Sequence, residues 1–237
     1  GETLEVVATG FRAPNGMGLS PDGQLTTSDN EGNWVAATPI NWIKEGGFYG
    51  VVSTSHQAET PKTRSNILCW IPHEVDNSAG GQVWVPKGEW GPLGGEMLHI
   101  SYGQAKLFHV FKEEVDGLMQ GGVIDLKPSG EFDAGIMRGR FNEKDKAVYL
   151  CGLKGWQTKG VKDGGLYRVR YTGQKSCRPV GLKSGQNGIK INFSEPVNEL
   201  SALDAGNYEL SRWVYEISDK YGSRHFKVTG TDWGLKP

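Results

Sequence analysis

The sequence lacks an excess of basic charge and any long apolar run. Its 26 lysines and arginines are balanced by 27 aspartates and glutamates, which gives a formal net charge of -1. Without a basic stretch the chain has no electrostatic footprint for a phosphate backbone, so we expect no nucleic-acid partner. No apolar run approaches the ~20 residues that a membrane-spanning helix needs, so we expect no membrane span.

Cysteine is also scarce. The three cysteines, Cys69, Cys151 and Cys177, form neither a CxxC nor a CxxCH motif. The sequence therefore encodes neither a cysteine zinc site nor covalent haem attachment. Cys69 and Cys151 lie in apolar strand contexts, and we predict that both pack as small buried residues. One disulfide is left open as an alternative.

A long helical periodicity is missing as well, which favours an all-β fold. The 35 glycines and 8 tryptophans among 237 residues suit short strands joined by tight turns, with large aromatic side chains between sheets. Strand and turn signals recur at roughly 40 to 50 residues, the length of a propeller blade. We therefore predict three to four blades of a β-propeller over residues 1–171.

The pattern changes near residue 172. The segments GIKINFSEPVN and LSALDAGNYELSRWVYEIS predict strands around a Ser-Glu-Pro turn, as at the start of an immunoglobulin-like β-sandwich. We assign residues 172–237 to such a segment, which stops short of the ~100 residues of a complete domain. Because a propeller ring typically needs ~4 to 8 blades, we expect the rest of the propeller or another chain to complete it.

Turn-forming residues and candidate functional side chains occur together in residues 10–50. Two short strands flank Pro21-Asp22-Gly23. In a tight hairpin turn the proline fixes φ, the aspartate side chain can hydrogen-bond to the backbone, and the glycine can adopt a positive φ. Polar side chains collect where these strands begin and end, and functional sites are usually built at such loop ends. They are Arg12, Asn15, Asp29, Asn30 and Glu31.

A second polar group precedes a glycine-rich turn. Asp76 and Asn77 suit a cation or a sugar hydroxyl, or alternatively an Asx-turn that satisfies its own backbone. Trp156 follows a strand end, where it would stack on a sugar or quinone ring or else fill the space between two blades. His99 and His109 lie in strands at even spacing and are predicted to face one way, as hydrogen-bonded rather than catalytic histidines.

Several of these motifs resemble one known family. GFRAPNGMGLSPDGQL, followed by SDNEGN and INWIKEGGFYG, is similar to the glucose/sorbosone dehydrogenases, which are six-bladed β-propeller quinoproteins. VDNSAGGQVWV and LHISYGQAKLFHV resemble the propeller part of large, often haem-bearing membrane-bound dehydrogenases of planctomycetes and verrucomicrobia. The resemblance covers roughly residues 8–172 and implies part of a six-bladed ring.

The resemblance also implies cofactors and their ligands. Arg12 and Asn15, with Arg138 and Arg140 of the MRGRF motif, fall on positions that contact pyrroloquinoline quinone (PQQ). Asp29, Asn30 and Glu31 fall on a calcium-binding loop, and their oxygens have the hardness that calcium prefers. We expect the arginines, Asn15, Asp29 and Asn30 to converge on one mouth of the channel. The catalytic histidine of the family belongs to a blade earlier than any in this sequence.

Two functions follow as hypotheses. The first is the propeller of a sugar or alcohol dehydrogenase that passes electrons to a haem domain outside this chain. The second is a non-catalytic propeller that binds carbohydrate or a partner protein. In either case Asp76, Asn77 and Trp156 are the candidates for contact with a carbohydrate or small polyol. We expect a periplasmic or extracellular location.

Overall fold

The computed structural model describes residues 1–228 and the backbone of residues 229 and 234–236. Three-residue 3₁₀ turns lie at Val52–Thr54, Gly91–Leu93 and Ala205–Asn207, and helix α1 spans Glu199–Leu203. The strands are β1 (Ala8–Thr9), β2 (Asn15–Leu19), β3 (Leu25–Ser28), β4 (Thr38–Trp42), β5 (Gly47–Phe48), β6 (Ile67–Ile71), β7 (Ala79–Trp84), β8 (Met97–Ser101), β9 (Lys106–Val115), β10 (Leu118–Asp125), β11 (Gly135–Asn142), β12 (Ala147–Leu153), β13 (Gly164–Arg170), β14 (Pro179–Gly185), β15 (Gly188–Phe193), β16 (Lys227–Thr229) and β17 (Gly234–Lys236).

Three antiparallel sheets follow one another along the chain as propeller blades. Blade 1 has the order β2-β3-β4-β6, blade 2 the order β7-β8-β9-β10, and blade 3 the order β11-β12-β13. The first strands of the blades, β2, β7 and β11, lie side by side, with β7 between the other two. The predicted partial β-propeller is therefore confirmed, and residues 1–170 contain no α-helix.

The core lies in two layers between the blades. Between blades 1 and 2, Ile40, Leu68 and Met97 belong to one buried cluster. Between blades 2 and 3, a larger cluster includes Leu98 and Ile136. Both clusters arise because alternate side chains of each strand point to opposite faces of its sheet. The outer faces of blades 1 and 3 have no neighbouring blade within the described residues.

Glycine sets the distance between blades 1 and 2. Gly16 has a φ of +74°, and a Cβ atom there would lie 2.0 Å from the carbonyl oxygen of Gly80. A Cβ atom on Gly18 would lie 2.7 Å from Cβ of Gln82. Because β2 and β7 approach this closely, no larger residue fits at either position without moving a blade.

The two cysteine predictions have different outcomes. Cys69 is buried, as predicted, and its burial raises the thiol pKa to about 12. The prediction for Cys151 was wrong, because its side chain is exposed. Cys151 pairs with Arg138 on one side and Leu166 on the other, on the face of blade 3 that points away from blade 2. The apolar neighbours of Cys151 in this strand lie on the opposite face of the sheet.

The prediction that His99 and His109 face one way was also wrong. Both are buried, but His99 pairs with Phe108 and His109 pairs with Leu98 across β8 and β9. Directly paired residues point to the same face of a sheet, so the two histidines point to opposite faces. Even spacing defines a face only within one strand.

The chain beyond residue 171 forms small separate elements. Strands β14 and β15 make one two-stranded sheet, and β16 and β17 make another. The segment around residues 214–223 returns to blade 1, where Trp34 N donates to Ser218 O and Ser223 N donates to Ala36 O. The immunoglobulin-like sandwich stays a prediction, and residues 230–233 and 237 of that segment lie outside the described residues.

Helices of the described residues are all short, and none has the length and apolar character needed to cross a membrane.

The approach of β2 to β7 generates a testable prediction. We expect Gly16→Ala to lower the free energy of unfolding by about 2–4 kcal/mol, because the new methyl group clashes with the backbone of Gly80. Gly23→Ala is the matched control: Gly23 also has a positive φ, of +91°, but a Cβ atom there meets nothing within 4 Å. Its expected cost is about 1 kcal/mol. Equal costs in urea denaturation would contradict the close approach.

Candidate functional site

The polar side chains of residues 12–31 meet where β3 ends. Asp29 follows β3 directly and is only 2% exposed. Its carboxylate accepts hydrogen bonds from the backbone N–H groups of Arg12 at 2.6 Å, Ala13 at 2.7 Å and Asn30 at 2.8 Å. Burial raises the pKa of Asp29, and these three hydrogen bonds oppose the rise. Asp29 therefore holds the segment that leads into β2 against the end of β3.

Asn15 and Asn30 connect this segment to blade 2. Nδ2 of Asn15 donates to the carbonyl oxygen of Ala79 at 2.6 Å, and Oγ of Ser78 donates to Oδ1 of Asn30 at 3.3 Å. We call the set of Arg12, Asn15, Asp29, Asn30 and residues 76–79 the strand-end rim. The structure thus brings together the predicted residues of blades 1 and 2.

Arg12 and Glu31 face the returning C-terminal segment. The guanidinium carbon of Arg12 lies 5.4 Å from the ring centre of Tyr221. Glu31 hydrogen-bonds to Nδ1 of His73, whose side chain is 57% exposed. A cleft of about 300 Å³ lies beside this pair, and its lining includes Tyr215, Arg224 and His225.

Asp76 is the centre of a buried polar network. Its carboxylate bonds to Nε2 of His99 at 2.7 Å and accepts from Oγ of Ser101 at 2.5 Å and from the backbone N–H of Ser78 at 3.1 Å. The network continues through Gln82, whose Nε2 lies 3.2 Å from Nδ1 of His99 and donates to Oγ of Ser28 in blade 1 at 2.6 Å. These groups satisfy one another and bridge two blades.

Asn77 is engaged at the next blade boundary. Its Oδ1 accepts from Gln104 Nε2 at 2.8 Å, and its Nδ2 donates to the carbonyl oxygen of Gln157 at 2.9 Å. The bond from Ser78 N–H to Asp76 is the Asx-turn contact that the sequence offered as the alternative. In this arrangement both side chains have structural partners.

Arg138, Arg140 and Trp156 are exposed residues of blade 3. The two arginines share one face of β11, and Nη1 of each donates to the carbonyl oxygen of the residue before it, at 2.9 Å and 2.8 Å. Trp156 is 83% exposed, so no neighbouring blade covers it within the described residues. No hydrogen bond or ion pair there joins these three residues to the strand-end rim.

Arg64 is a charged residue that sequence reasoning missed. Nε and Nη1 of this side chain are buried and have no hydrogen-bond partner among the described residues. Its guanidinium carbon lies 4.9 Å from the ring centre of Trp70. Burial lowers its pKa to about 10, and the charge of Asp29 opposes this shift. Gly50 lies close to this group, since a Cβ atom there would lie 3.1 Å from the guanidinium carbon, and no local sequence pattern signals that contact.

A cavity lies away from the strand-end rim. It has a volume of about 810 Å³ and runs beside β13, the outermost strand of blade 3. Its apolar lining includes Trp90, Leu126 and Phe132. Its basic residues are Lys127, Arg168, Arg170, Lys175 and Arg178, and its acidic residues are Glu131 and Glu195.

The residues assigned to calcium do not fit that ion as they are arranged. Asp29 accepts three backbone hydrogen bonds, Asn30 accepts one from Ser78, and Glu31 bonds to His73. Within the described part of the chain, no group of three or more His, Cys, Asp or Glu side chains is placed to hold a metal ion. The arginines fit an anionic cofactor better, since Arg138 and Arg140 are exposed and have further N–H groups to donate.

Comparison with known proteins supports the fold. No protein-family model matches the chain, and no curated protein matches it in sequence. A solved glucose dehydrogenase superposes with a TM-score of 0.50 at 18% identity, over 70% of this chain and 42% of its own. An oxidoreductase (glucose dehydrogenase) of Thermus thermophilus gives 0.49 at 19% identity, over 70% and 46%. The soluble aldose sugar dehydrogenase of Escherichia coli in its apo form gives 0.48 at 14%, over 70% and 47%.

This chain therefore spans less than half of the length of each of these solved structures. At such low identity the likeness to the glucose dehydrogenase establishes the propeller fold and no more. The identity of any substrate or cofactor is a matter for proposal.

The burial of Asp29 predicts a pH dependence. Because its pKa is raised above 3.8 in the folded protein, the folded state binds the proton more tightly than the unfolded state. The free energy of unfolding of the natural chain should therefore fall, relative to Asp29→Asn, as the pH rises above 3.8 toward the folded pKa. Urea denaturation between about pH 4 and 7 measures this difference.

Asp22→Asn is the control for that experiment. Asp22 is exposed and its pKa is lowered, chiefly by the hydrogen bond from Ser20. Its contribution therefore changes only below the unfolded value of 3.8 and with the opposite sign. A flat difference for Asp29→Asn over the same range would contradict the raised pKa.

The network around Asp76 gives a further prediction. We expect Asp76→Ala to lower the free energy of unfolding by about 3–5 kcal/mol, because it leaves His99 and Ser101 buried without their partner. Asn77→Ala removes two hydrogen bonds at a partly exposed position, and its expected cost is about 1 kcal/mol. Denaturant titration of the two variants should separate them clearly, and a similar cost for both would argue against the network.

Proposed function

We propose that this chain is part of the propeller of a sugar or alcohol dehydrogenase, with an anionic quinone such as PQQ as its electron acceptor. The observation that carries the proposal is the strand-end rim, where Arg12, Asn15, Asp29 and Asn30 of blade 1 meet residues 76–79 of blade 2. A propeller with this rim resembles the glucose/sorbosone dehydrogenases at the motifs that surround their cofactor. Electron transfer to a haem domain outside this chain is part of the same proposal.

In this proposal the side chains have different roles. Arg138 and Arg140 hold the carboxylates of the quinone, since guanidinium groups bind carboxylates in a bidentate way. Arg12 would contribute a third positive charge only to a cofactor that extends from the face of β11 to the strand-end rim, where Asn15 and Asp29 position the backbone. The quinone itself would accept the electrons of the oxidised alcohol. Calcium binding by Asp29, Asn30 and Glu31 requires that these side chains leave their present partners.

The fold of the family also supports a role outside the cytoplasm. We propose a periplasmic or extracellular location and a carbohydrate or small polyol as the ligand. The chain provides three blades, so we expect it to bind the cofactor but not to turn over a substrate unless the ring is completed.

A cofactor titration tests this function. We expect PQQ to change its absorbance spectrum in a saturable way on addition of the chain, with and without calcium. The double variant Arg138→Ala and Arg140→Ala should bind at least about tenfold more weakly. Lys183→Ala with Lys190→Ala is the matched control, since it removes two positive charges from the pair formed across β14 and β15. Equal binding by all three proteins, or none by the natural chain, would refute the assignment.

The exposure of Trp156 favours a second function, the binding of carbohydrate without catalysis. An exposed indole ring is a stacking surface for a sugar. If the spectrum of PQQ does not change but the tryptophan fluorescence of the chain responds to added oligosaccharide, and Trp156→Ala abolishes that response, the non-catalytic function replaces the first.

A further inference from the structure

The cavity beside β13 has an aromatic and aliphatic floor. Trp90 and Leu93, which line it, belong to the buried cluster between blades 2 and 3 and are 5% and 2% exposed. Phe132 and Tyr167 pack against that cluster, and their ring centres lie 5.2 Å apart with an angle of 78° between the rings. The floor is therefore a part of the propeller core that borders an open space.

Two hydrogen bonds fix aromatic rings of this floor. Nε1 of Trp90 donates to the carbonyl oxygen of Lys146 at 2.7 Å, and the phenolic oxygen of Tyr167 accepts from the backbone N–H of Ala134 at 2.8 Å. Rings that are already held in place lose little conformational freedom when a ligand binds. The floor is therefore preformed, as in most small-molecule sites.

The linker between β13 and β14 forms another wall of the cavity. Ser176 and Arg178 of this linker line the space. Ser194, which follows β15, donates its N–H to the carbonyl oxygen of Arg178 at 2.9 Å and its hydroxyl to the carbonyl oxygen of Ser176 at 2.6 Å. The cavity volume of about 810 Å³ lies within the ~300–1,000 Å³ of small-molecule sites.

The charge of the lining is unbalanced. Lys175 forms an ion pair with Glu195 at 3.5 Å, and Glu131 is the other acidic residue of the lining. A positive excess beside low-dielectric walls attracts an anion. The lining bases that form no ion pair with any described residue are Lys127, Arg168, Arg170 and Arg178.

Arg178 is the best placed of these bases to bind an anion. It is partly buried, and its Nε donates to Oγ of Ser176 at 3.3 Å. Its backbone N–H donates to Oγ of Ser194 at 3.2 Å, so backbone and side chain are both held. Its Nη groups have no hydrogen-bond partner among the described residues. A guanidinium with free donors binds a carboxylate strongly.

We propose that this cavity binds an aromatic carboxylate. The ring system of the ligand packs on Trp90, Phe132 and Tyr167, since aromatic rings favour offset-stacked and edge-to-face contacts. Its carboxylate accepts hydrogen bonds from Arg178, and Lys127 supplies a second positive charge. A neutral sugar would leave the positive excess unused, so this site differs in chemistry from a carbohydrate site.

The site is independent of the proposed function. Its lining shares no residue with the strand-end rim and includes none of Arg138, Arg140 and Trp156. PQQ also carries carboxylates on an aromatic ring system, so the two sites are separated by their variants. A substitution of Arg178 changes the cavity alone, and the substitutions of Arg138 and Arg140 change the face of β11 alone.

Calorimetric titration of the chain with 1-naphthoate tests the site. We expect saturable binding of one naphthoate per chain. The neutral analogue 1-naphthalenemethanol has the same rings without the charge and should bind at least about tenfold more weakly. The absence of saturable naphthoate binding, or equal binding of the two compounds, would overturn the proposal.

Substitution of Arg178 locates the carboxylate. Arg178→Gln should raise the Kd of naphthoate at least about tenfold and leave that of naphthalenemethanol unchanged, a difference that unfolding does not produce. Lys127→Gln, at an exposed position, should raise it about two- to fivefold. Arg212→Gln is the matched control, since Arg212 is exposed and does not line the cavity. Equal losses in Arg178→Gln and Arg212→Gln would indicate nonspecific attraction and reject the site.

Photolabelling gives the position of the ligand directly. The aromatic carboxylate 4-benzoylbenzoate couples to nearby C–H groups on irradiation, and we expect labelled peptides from residues 90–93, 126–132 or 167–178. Excess naphthoate should prevent this labelling, and the Arg138→Ala and Arg140→Ala double variant should be labelled like the natural chain. Labelling confined to residues 135–142 would place the anion on β11, which overturns this inference while it supports the proposed function.

Discussion

The buried carboxylate of Asp76 is the interaction on which the arrangement of the blades depends. It bonds to His99 and Ser101 within its own blade, and the network reaches Ser28 in blade 1 through Gln82. An ionisable group that is 0% exposed is stable only when its lone pairs are satisfied. Since the network joins Gln82 of blade 2 to Ser28 of blade 1, it is complete only when β3 and β7 take one relative position. The strand-end rim is assembled at that same junction.

Much of the fold could be predicted from local pattern. The turn at Pro21-Asp22-Gly23 and the alternation in β13 identify hairpins without knowledge of any long-range contact. Register is not local, and the two errors on Cys151 and His109 have this origin. Each lies in a strand whose neighbours are apolar, and only the pairing partner decides which face is covered.

The candidate site could likewise be predicted only where its residues are close together in the sequence. Asp29, Asn30 and Asn15 come together because they flank one hairpin, and the sequence places them there. Their partners do not follow from the sequence: three backbone N–H groups occupy Asp29, and Ala79 of the next blade occupies Asn15. Arg64 was missed because a residue that lies close to it, Gly50, is not its neighbour in sequence. A resemblance to a family assigns positions to ligands, while burial and existing partners decide which side chains are free to bind them.

Cys151 has a practical consequence. Its thiol lies between Arg138 and Leu166 in the middle of the uncovered face of blade 3, so any protein surface that packs there must also shield the sulfur from small reagents. The rate of alkylation at this one atom therefore reports the solvation of the whole face. Cys177 is exposed on the linker before β14, so its alkylation rate is an internal reference. Cys69 is buried and should not react while the blades are folded. The three cysteines thus form a built-in set of probes for the outer, linker and core environments of the propeller.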